Sequence, residues 1–278
     1  MNALKPNPDY SIAIPVFNQL AYTRQCLDSL RRSGIADARI AVVNNGSADG
    51  TREFLDAQPG LKVIHNAENR GCGFAWTQGA QAIAAEWVAV INNDVIMPAQ
   101  WLENLIAFAT THRVDIASPA MCEGELDYDL QAYADQFMAR MAHVWRRGFA
   151  YGVCFMVHRR VFDSIGFFDG DFRLGGYEDD EFFRRARRAG FTLGITGGSY
   201  LHHFGSVTQK SIKAGLKQPR TSLGDRAYYR KKYGLTWFVR QRERWREKLL
   251  IAFYHSRERS RYGSTLLSRR EGGTFIWR

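Results

Sequence analysis

Residues 87–98 read Trp-Val-Ala-Val-Ile-Asn-Asn-Asp-Val-Ile-Met-Pro, an apolar run that breaks at Asn92, Asn93 and Asp94 and then resumes. Two amides and a carboxylate at the end of a buried strand have two readings. They form a solvent-facing turn, which Asn and Asp favour, or they belong to a site at the carboxyl end of a strand, where open α/β sheets bind ligands. A second string holds four consecutive acids, Glu178 to Glu181, followed by arginines at 184, 185, 187 and 188. That order suits a helix dipole, so the acids serve either the helix or a site at its start. A histidine pair, His202 and His203, follows a third apolar run, and amides recur at Asn44, Asn45 and Asn66.

The elements that must position these residues alternate. Short β-like runs precede helical patterns: "YSIAIP", ending at Pro15, before "AYTRQCLDSLRRSG"; "ARIAVV" before "TREFLD"; "LKVIHN" before "FAWTQGAQAIAAE"; "WVAVI" before "WLENLIAFATTH". In the first helix Cys26, Leu27 and Leu30 share a face and Gly34 suits the stop. Alternation with short connections predicts βαβ units, hence an α/β fold with a mostly parallel sheet covered on both faces. Right-handed crossovers gather the loops after successive strands on one edge, which puts the Asn44-Asn45, His65-Asn66 and Asn92-Asn93-Asp94 loops together. "TLGITGG" reads as a final strand with "SYLHHFGS" after it.

The chain has 278 residues, 45% hydrophobic, enough for a packed core. Its four cysteines form no C-x-x-C pair, so neither a zinc site nor a disulfide framework is expected, and reduced thiols fit a cytoplasmic protein. No signal peptide is expected at the N-terminus and no apolar run is long enough to span a membrane. Residues 207–278 hold 19 Lys/Arg against 5 Asp/Glu, whereas the net charge of the whole chain is +10. The basicity therefore belongs to the C-terminal quarter, which should attract phosphate-bearing surfaces.

Six stretches, "AIPVFN" (13–18), "VVNNGSADGT" (42–51), "NRGCGFA" (69–75), "VINNDV" (90–95), "GFFDGDF" leading to "YEDDEFFRRARRAGF" (166–191), and "HHFGS" (202–206), stand in the order found in family-2 glycosyltransferases of the GT-A fold. Residues 10–206 resemble that family, and "DRAYYRKKYG" (225–234) resembles the end of the transferring domain in rhamnosyltransferase-like bacterial members that build surface polysaccharides such as lipopolysaccharide. The resemblance implies a catalytic, nucleotide-sugar-binding domain at 1–206 and a basic, mainly helical extension at 207–278. It implies transfer, with inversion, of a sugar from a UDP- or dTDP-sugar to a hydroxyl of a glycan or lipid-linked glycan, assisted by Mn²⁺ or Mg²⁺.

By the same resemblance Asp94 is a metal ligand. The family's usual acid-x-acid triplet is here Asn92-Asn93-Asp94, leaving one carboxylate, with the two amides on the donor's ribose or sugar. Asp179 is the expected general base, with Glu178 orienting it or standing in for it. His202, four residues before a serine, is the expected second metal ligand, with His203 as the alternative. Pro15, Phe17 and Asn18 pass beneath the nucleobase, Asn44 or Asn45 accepts its N–H, and Asn69 and Arg70 face the nucleotide or diphosphate. Asp49 either contacts the base or caps the next helix. Trp145, Tyr151 and Tyr177 either stack on a sugar or belong to the core.

The segment "LTWFVRQRERWREKLLIAFYHSRERSRYGS" is either an amphipathic helix on an anionic inner membrane face or a packed helix with a solvated basic side. Nucleic acid is not expected as a partner, since no recognition module is present. A nucleotidyltransferase lacks its Gly- and Arg-rich phosphate loop here. The alternative to an enzyme is a non-catalytic GT-A-like module that binds nucleotide, membrane or a partner transferase.

Overall fold

A computed structural model describes residues 9–172, 176–205 and 223–278. Four strands, β1 (Tyr10–Val16), β2 (Ile40–Asn45), β3 (Lys62–Asn66) and β4 (Trp87–Ile91), form a parallel sheet in the order β4-β1-β2-β3. Helices α1 (Leu20–Arg32), α2 (Thr51–Asp56) and α3 (Cys72–Ala82) make the crossovers. Pro15 does not end the first strand, which runs on to Val16 with Pro15 paired to Val43. β1 is paired with β4 only as far as Ala13, so beyond that point one edge of the strand needs no donors and proline is tolerated.

After β4 the sheet becomes mixed. β5 (Val95–Ile96), α4 (Trp101–His112), β6 (Ile116–Gly124), α5 (Leu130–Met141), β7 (Trp145–Arg147) and β8 (Cys154–His158) follow, with β8 antiparallel between β4 and β6. Then come α6 (Arg159–Ile165), α7 (Glu178–Arg188) and the eleven-residue β9 (Leu193–His203). β9 runs parallel to β6 and antiparallel to β5 and β7. Gly197 and Gly198, which read as a strand end, lie in a bulge where the register with β6 jumps from Thr196 opposite Pro119 to Tyr200 opposite Ala120. A Cβ on Gly197 would lie 2.5 Å from the Met141 carbonyl, so the bulge is pressed against the end of α5. The strand continues through both histidines.

The C-terminal quarter adds α8 (Leu223–Tyr233), α9 (Trp237–Tyr262) and a hairpin, β10 (Leu267–Glu271) and β11 (Thr274–Trp277). β10 pairs in parallel with β6, so this quarter is not wholly helical and extends the main sheet.

The core lies on both faces of the sheet. Along β4, Trp87, Ala89 and Ile91 pack with α1 and α4, while Val88 and Val90 pack with α3 and α7, the period-two alternation of a strand buried on both sides. α3 approaches closely because it is built from small residues: a Cβ on Gly79 would lie 2.8 Å from that of Ala13. That approach sets where the first turn of α3, and hence Cys72, meets the carboxyl edge of the sheet.

Candidate active site

The loops after β1, β2 and β3 are tied together by amides. Asn18 accepts from the Ala48 N–H at 2.8 Å and its own N–H donates to the Ser47 hydroxyl at 2.8 Å. Asn44 accepts from the Ser47 N–H at 3.0 Å and its amide nitrogen meets the His65 ring at 3.0 Å. Asn45 donates to Asn69 and the Gly71 carbonyl and accepts from Asn66 and the Arg70 N–H. Those four bonds use all the capacity of a primary amide. Asn45 therefore knots the loops and has nothing left for a nucleobase; Asn44 is the one of the pair with capacity to spare. Asp49 accepts from the Leu20 N–H at 3.0 Å and from the Thr51 hydroxyl at 2.5 Å, joining the starts of α1 and α2. These bonds hold its pKa down despite partial burial. It bonds the first residues of both helices, whose N-cap positions are Gln19 and Gly50. Asn69 serves the knot, and the Arg70 guanidinium lies 3.6 Å over the Phe74 ring. Pro15 and Phe17 are half-buried beside Asn18.

At the end of β4, Asn93 is buried and donates to Thr23 of α1 at 2.9 Å. It holds the turn from inside, its amide nitrogen engaged by α1. Asn92 is half-buried; its N–H reaches the Val153 carbonyl at 2.9 Å. Asp94 is buried, and its carbonyl accepts from the Phe204 N–H at 3.0 Å. The pairing of β5 with β9 puts Val95 opposite His203 and Ile96 opposite His202. Successive strand residues point to opposite faces, so only one histidine of the pair can turn towards Asp94. That one is His203, with Nε2 3.4 Å from the Asp94 carboxylate and both side chains about 95% buried.

His202 points the other way, towards the Tyr128 hydroxyl at 2.9 Å and the Gly124 carbonyl at 3.1 Å. A carbonyl only accepts, so Nε2 carries the proton and Nδ1 accepts from Tyr128. Burial pushes the pKa of His202 down to about 4, so the ring is neutral. Both nitrogens are used in the sheet, so His202, the expected second metal ligand, does not face Asp94; His203, the alternative, does. The signal that would have found His203 is strand alternation, masked because the two glycines made β9 look as if it ended before the histidines.

The carboxylate and imidazole of Asp94 and His203 fit a divalent cation. They are an oxygen and a nitrogen donor within one ion's reach, a set that suits Mn²⁺ or Mg²⁺ already carried by phosphates. Among the described residues no group of three or more His, Cys, Asp or Glu converges on one point. The remaining positions would fall to diphosphate oxygens and water.

The acids lie at the start of α7. Glu178 is buried and accepts from the Gly176 N–H. Burial and the charge of Asp179 raise its pKa from 4.5 to about 7. Burial and the charge of Asp180 raise that of Asp179 from 3.8 to about 6. The Asp179 carboxylate lies against Gly152, in the loop before β8, where a Cβ would come 1.9 Å from Oδ2. Glu181 is fully buried and structural, held by Arg185, Tyr233 and Lys232. Burial and the charges of Glu178, Asp179 and Asp94 raise the pKa of the Cys72 thiol.

Of the three aromatics considered for sugar stacking, Trp145 packs against Phe108 and His112, and Tyr151 is packed between core clusters. Tyr177 sits at the head of α7 with φ +80° and its ring 5.4 Å from that of Tyr229.

Comparison with known proteins bears on the family and the fold. The model of a family described as "Glycosyl transferase family 2" matches residues 11–173. The glycosyltransferase AglE of Haloferax volcanii is 25% identical over 84% of this chain and 80% of its own length. The putative glycosyltransferase EpsH of Bacillus subtilis is 33% identical over 37% of this chain and 30% of its own. Among solved structures, residues 1–349 of S. aureus TarS superpose with a TM-score of 0.55 at 17% identity, over 70% of this chain and 60% of that one. GalNAc-T7 with UDP, GalNAc and Mn²⁺ superposes with a TM-score of 0.59 at 17% identity, over 72% of this chain and 44% of that one. A mannosyltransferase of Pyrobaculum calidifontis with GDP-Man and Mn²⁺ superposes with a TM-score of 0.55 at 18% identity, over 75% and 61% of the two chains. The six ordered motifs, the sheet that carries them and the match across residues 11–173 make this chain a member of glycosyltransferase family 2 with the GT-A fold.

Proposed function

We propose that the protein transfers a sugar, with inversion, from a UDP- or dTDP-sugar to a hydroxyl of a glycan or lipid-linked glycan, in the assembly of a cell-surface polysaccharide. The observation that carries this reading is that the acids at the head of α7 pack against the start of α3 and the end of β4: a Cβ on Gly73 would lie 3.3 Å from that of Glu178, and Asp179 lies against Gly152, next to Val153, whose carbonyl holds the N–H of Asn92, two residues before Asp94. The chemistry needs a negative group to hold a cation at the leaving diphosphate and a second, separate carboxylate to take a proton.

Asp94 and His203 would hold the Mn²⁺ or Mg²⁺, which when bound neutralises charge on the diphosphate. Asp179, above its pKa of about 6, accepts the proton of the acceptor hydroxyl. The acceptor oxygen bonds to the anomeric carbon as the bond from that carbon to the diphosphate oxygen breaks, and the electron pair leaves with the diphosphate. One displacement at one carbon inverts its configuration. Glu178, bound to the Gly176 N–H, keeps the head of α7 in place beside the base. Asn44 is the residue left to meet the nucleobase, and the diphosphate is assigned to Arg70, whose guanidinium is stacked on Phe74.

The solved relatives in complex with UDP and with GDP-Man support a nucleotide-sugar donor while differing in the base. Among the described residues no helix is long and apolar enough to cross a membrane; the reading puts the enzyme on the cytoplasmic side, at the inner membrane face where such acceptors are elongated.

Thermal-shift and calorimetric titration with UDP-, dTDP- and GDP-sugars, with and without Mn²⁺, tests the donor. Stabilisation by UDP or dTDP compounds that depends on Mn²⁺ is the expected result. Stabilisation by GDP-sugars alone would contradict the choice of base. Tight donor binding with no slow hydrolysis and no transfer to any glycan would favour the non-catalytic module.

A further inference from the structure

A cavity of about 910 Å³ opens between α7, α8 and α9. Eight arginines line it against three acids, Asp180, Glu243 and Glu247. Arg187 and Arg188 come from α7, Arg226 and Arg230 from α8, and Arg244 and Arg246 from α9. Of the other two, Arg184 is engaged by Glu243 and the Tyr229 hydroxyl. The Arg240 Nε is buried and has no hydrogen-bond partner among the described residues. Partial desolvation and the charges of Arg226, Arg240 and Arg244 hold the pKa of Arg230 below its usual range. Like charges gathered in a concavity are costly unless an anion joins them.

The cavity has two distinct ends. At one lie Tyr177 and Asp180, which flank Glu178 and Asp179 in sequence; Gly148, whose carbonyl accepts from Arg187, and Phe149, its ring 6.1 Å from that of Tyr254, lie towards the other. At the other lie Leu249, Leu250 and Phe253, exposed by 67%, 44% and 60%. They continue a stripe with Phe238 and Trp245 along the outer face of α9, and these five with Trp237 are six of the seven large hydrophobic residues exposed among the described ones. An apolar stripe of this kind on a surface helix marks a binding site.

We propose that this cavity binds the acceptor, and that the acceptor carries a phosphate group on an apolar tail. The phosphate lies among the guanidinium groups, the tail along the α9 stripe, and the hydroxyl to be glycosylated beside Asp179. Guanidinium forks match the planar and tetrahedral oxyanions they hold in pairs, and three helices supply them from three directions, which suits a compact multiply charged group better than an extended acidic chain. The proposal rests on the reading of the chain as a sugar transferase, whose acceptor it specifies.

The probe is geranyl phosphate, titrated calorimetrically into the full chain beside geraniol, inorganic phosphate and phosphatidylglycerol vesicles. Geranyl phosphate should bind, and both geraniol and inorganic phosphate should bind at least about tenfold more weakly. Arg226→Ala with Arg230→Ala should weaken it by roughly tenfold or more, and Arg244→Gln with Arg246→Gln, at exposed positions where folding is not at risk, should do likewise. Mn²⁺-dependent UDP binding should be unchanged in both pairs. Equal binding of geraniol, or undiminished binding in both variant pairs, would overturn the proposal. So would binding to the vesicles alone, which would make the surface a membrane contact. If wild-type protein binds geranyl phosphate but no nucleotide diphosphate with Mn²⁺, the phosphate site stands and the sugar-transfer reading falls.

Discussion

At the scale of single residues, two pairs of neighbours have divided their work. His203 faces Asp94 and His202 faces Tyr128 and the Gly124 carbonyl. His203→Ala should weaken nucleotide diphosphate binding in Mn²⁺ and leave metal-free binding unchanged. His202→Ala should leave the Mn²⁺ effect intact and lower stability by about 1–3 kcal/mol, through the buried groups it orphans. Urea melts and calorimetry on the two variants separate the cases, and the opposite assignment would show as the opposite pattern. Asp179 and Glu178 both have raised pKa values, about 6 and about 7. A base works only when deprotonated, so transfer should rise with pH through this range and level above it. Stability moves the other way: the folded chain holds these protons more tightly than the unfolded chain does, so between about pH 4 and 7 it loses stability as pH rises. Asp179→Asn should lower turnover by about 10²–10⁴-fold with donor affinity kept. It also removes the charge that raises Glu178, whose pKa should fall. If Glu178→Gln alone abolishes turnover, the base is one residue earlier.

At the scale of elements, what the sequence made legible was whatever obeys a simple period. The alternation of β4, the shared face of Cys26, Leu27 and Leu30 on α1, and the small residues of α3 could all be read from residue types, and so could the edge on which their loops meet. Four things were not legible in this way. Gly197 and Gly198 look like breakers yet form a bulge inside a continuous strand, and that hid which histidine faces Asp94. Asn45 and Asn93 are of a type that binds ligands, and only their neighbours reveal that they tie loops instead. Gly272-Gly273 between two short runs is a hairpin signal, outweighed by the charge of the segment around it. Gly152 carried no signal at all, since its role is to leave room for a carboxylate from another element. Gly152→Ala should therefore act as a displaced base: the new Cβ would come 1.9 Å from the Asp179 Oδ2, so turnover should fall sharply while Mn²⁺-dependent donor binding stays. Loss of both together would mean that the loop, not the base, had moved.

At the scale of the whole molecule, the basic quarter is bolted to the catalytic sheet. Arg146 of β7 and Glu258 of α9 form a two-bond ion pair at 2.7 Å, each about 97% buried, and Glu258 also accepts from the Leu266 N–H. Glu258→Ala leaves a buried guanidinium uncompensated, so a loss of about 3–5 kcal/mol is expected from urea melts. A variant with unaltered stability would show that α9 is held by other contacts. The seam between β10 and β6 has a further consequence for how the molecule is made. Gly124, whose carbonyl holds His202, lies opposite Arg270 in that seam, and a Cβ on Gly124 would sit 2.2 Å from the Arg270 carbonyl. Synthesis is vectorial, so β6 emerges from the ribosome well before the strand that covers its outer edge. For the time needed to make roughly 150 residues, at ~5–20 residues per second, that edge is open to other strands. The donor loops can form early, whereas β6, the strand against which His202 and His203 pair, gains its outer support only when residues 267–271 arrive, and a nascent chain halted before them should be captured by chaperones with its nucleotide half built and its metal half unfinished.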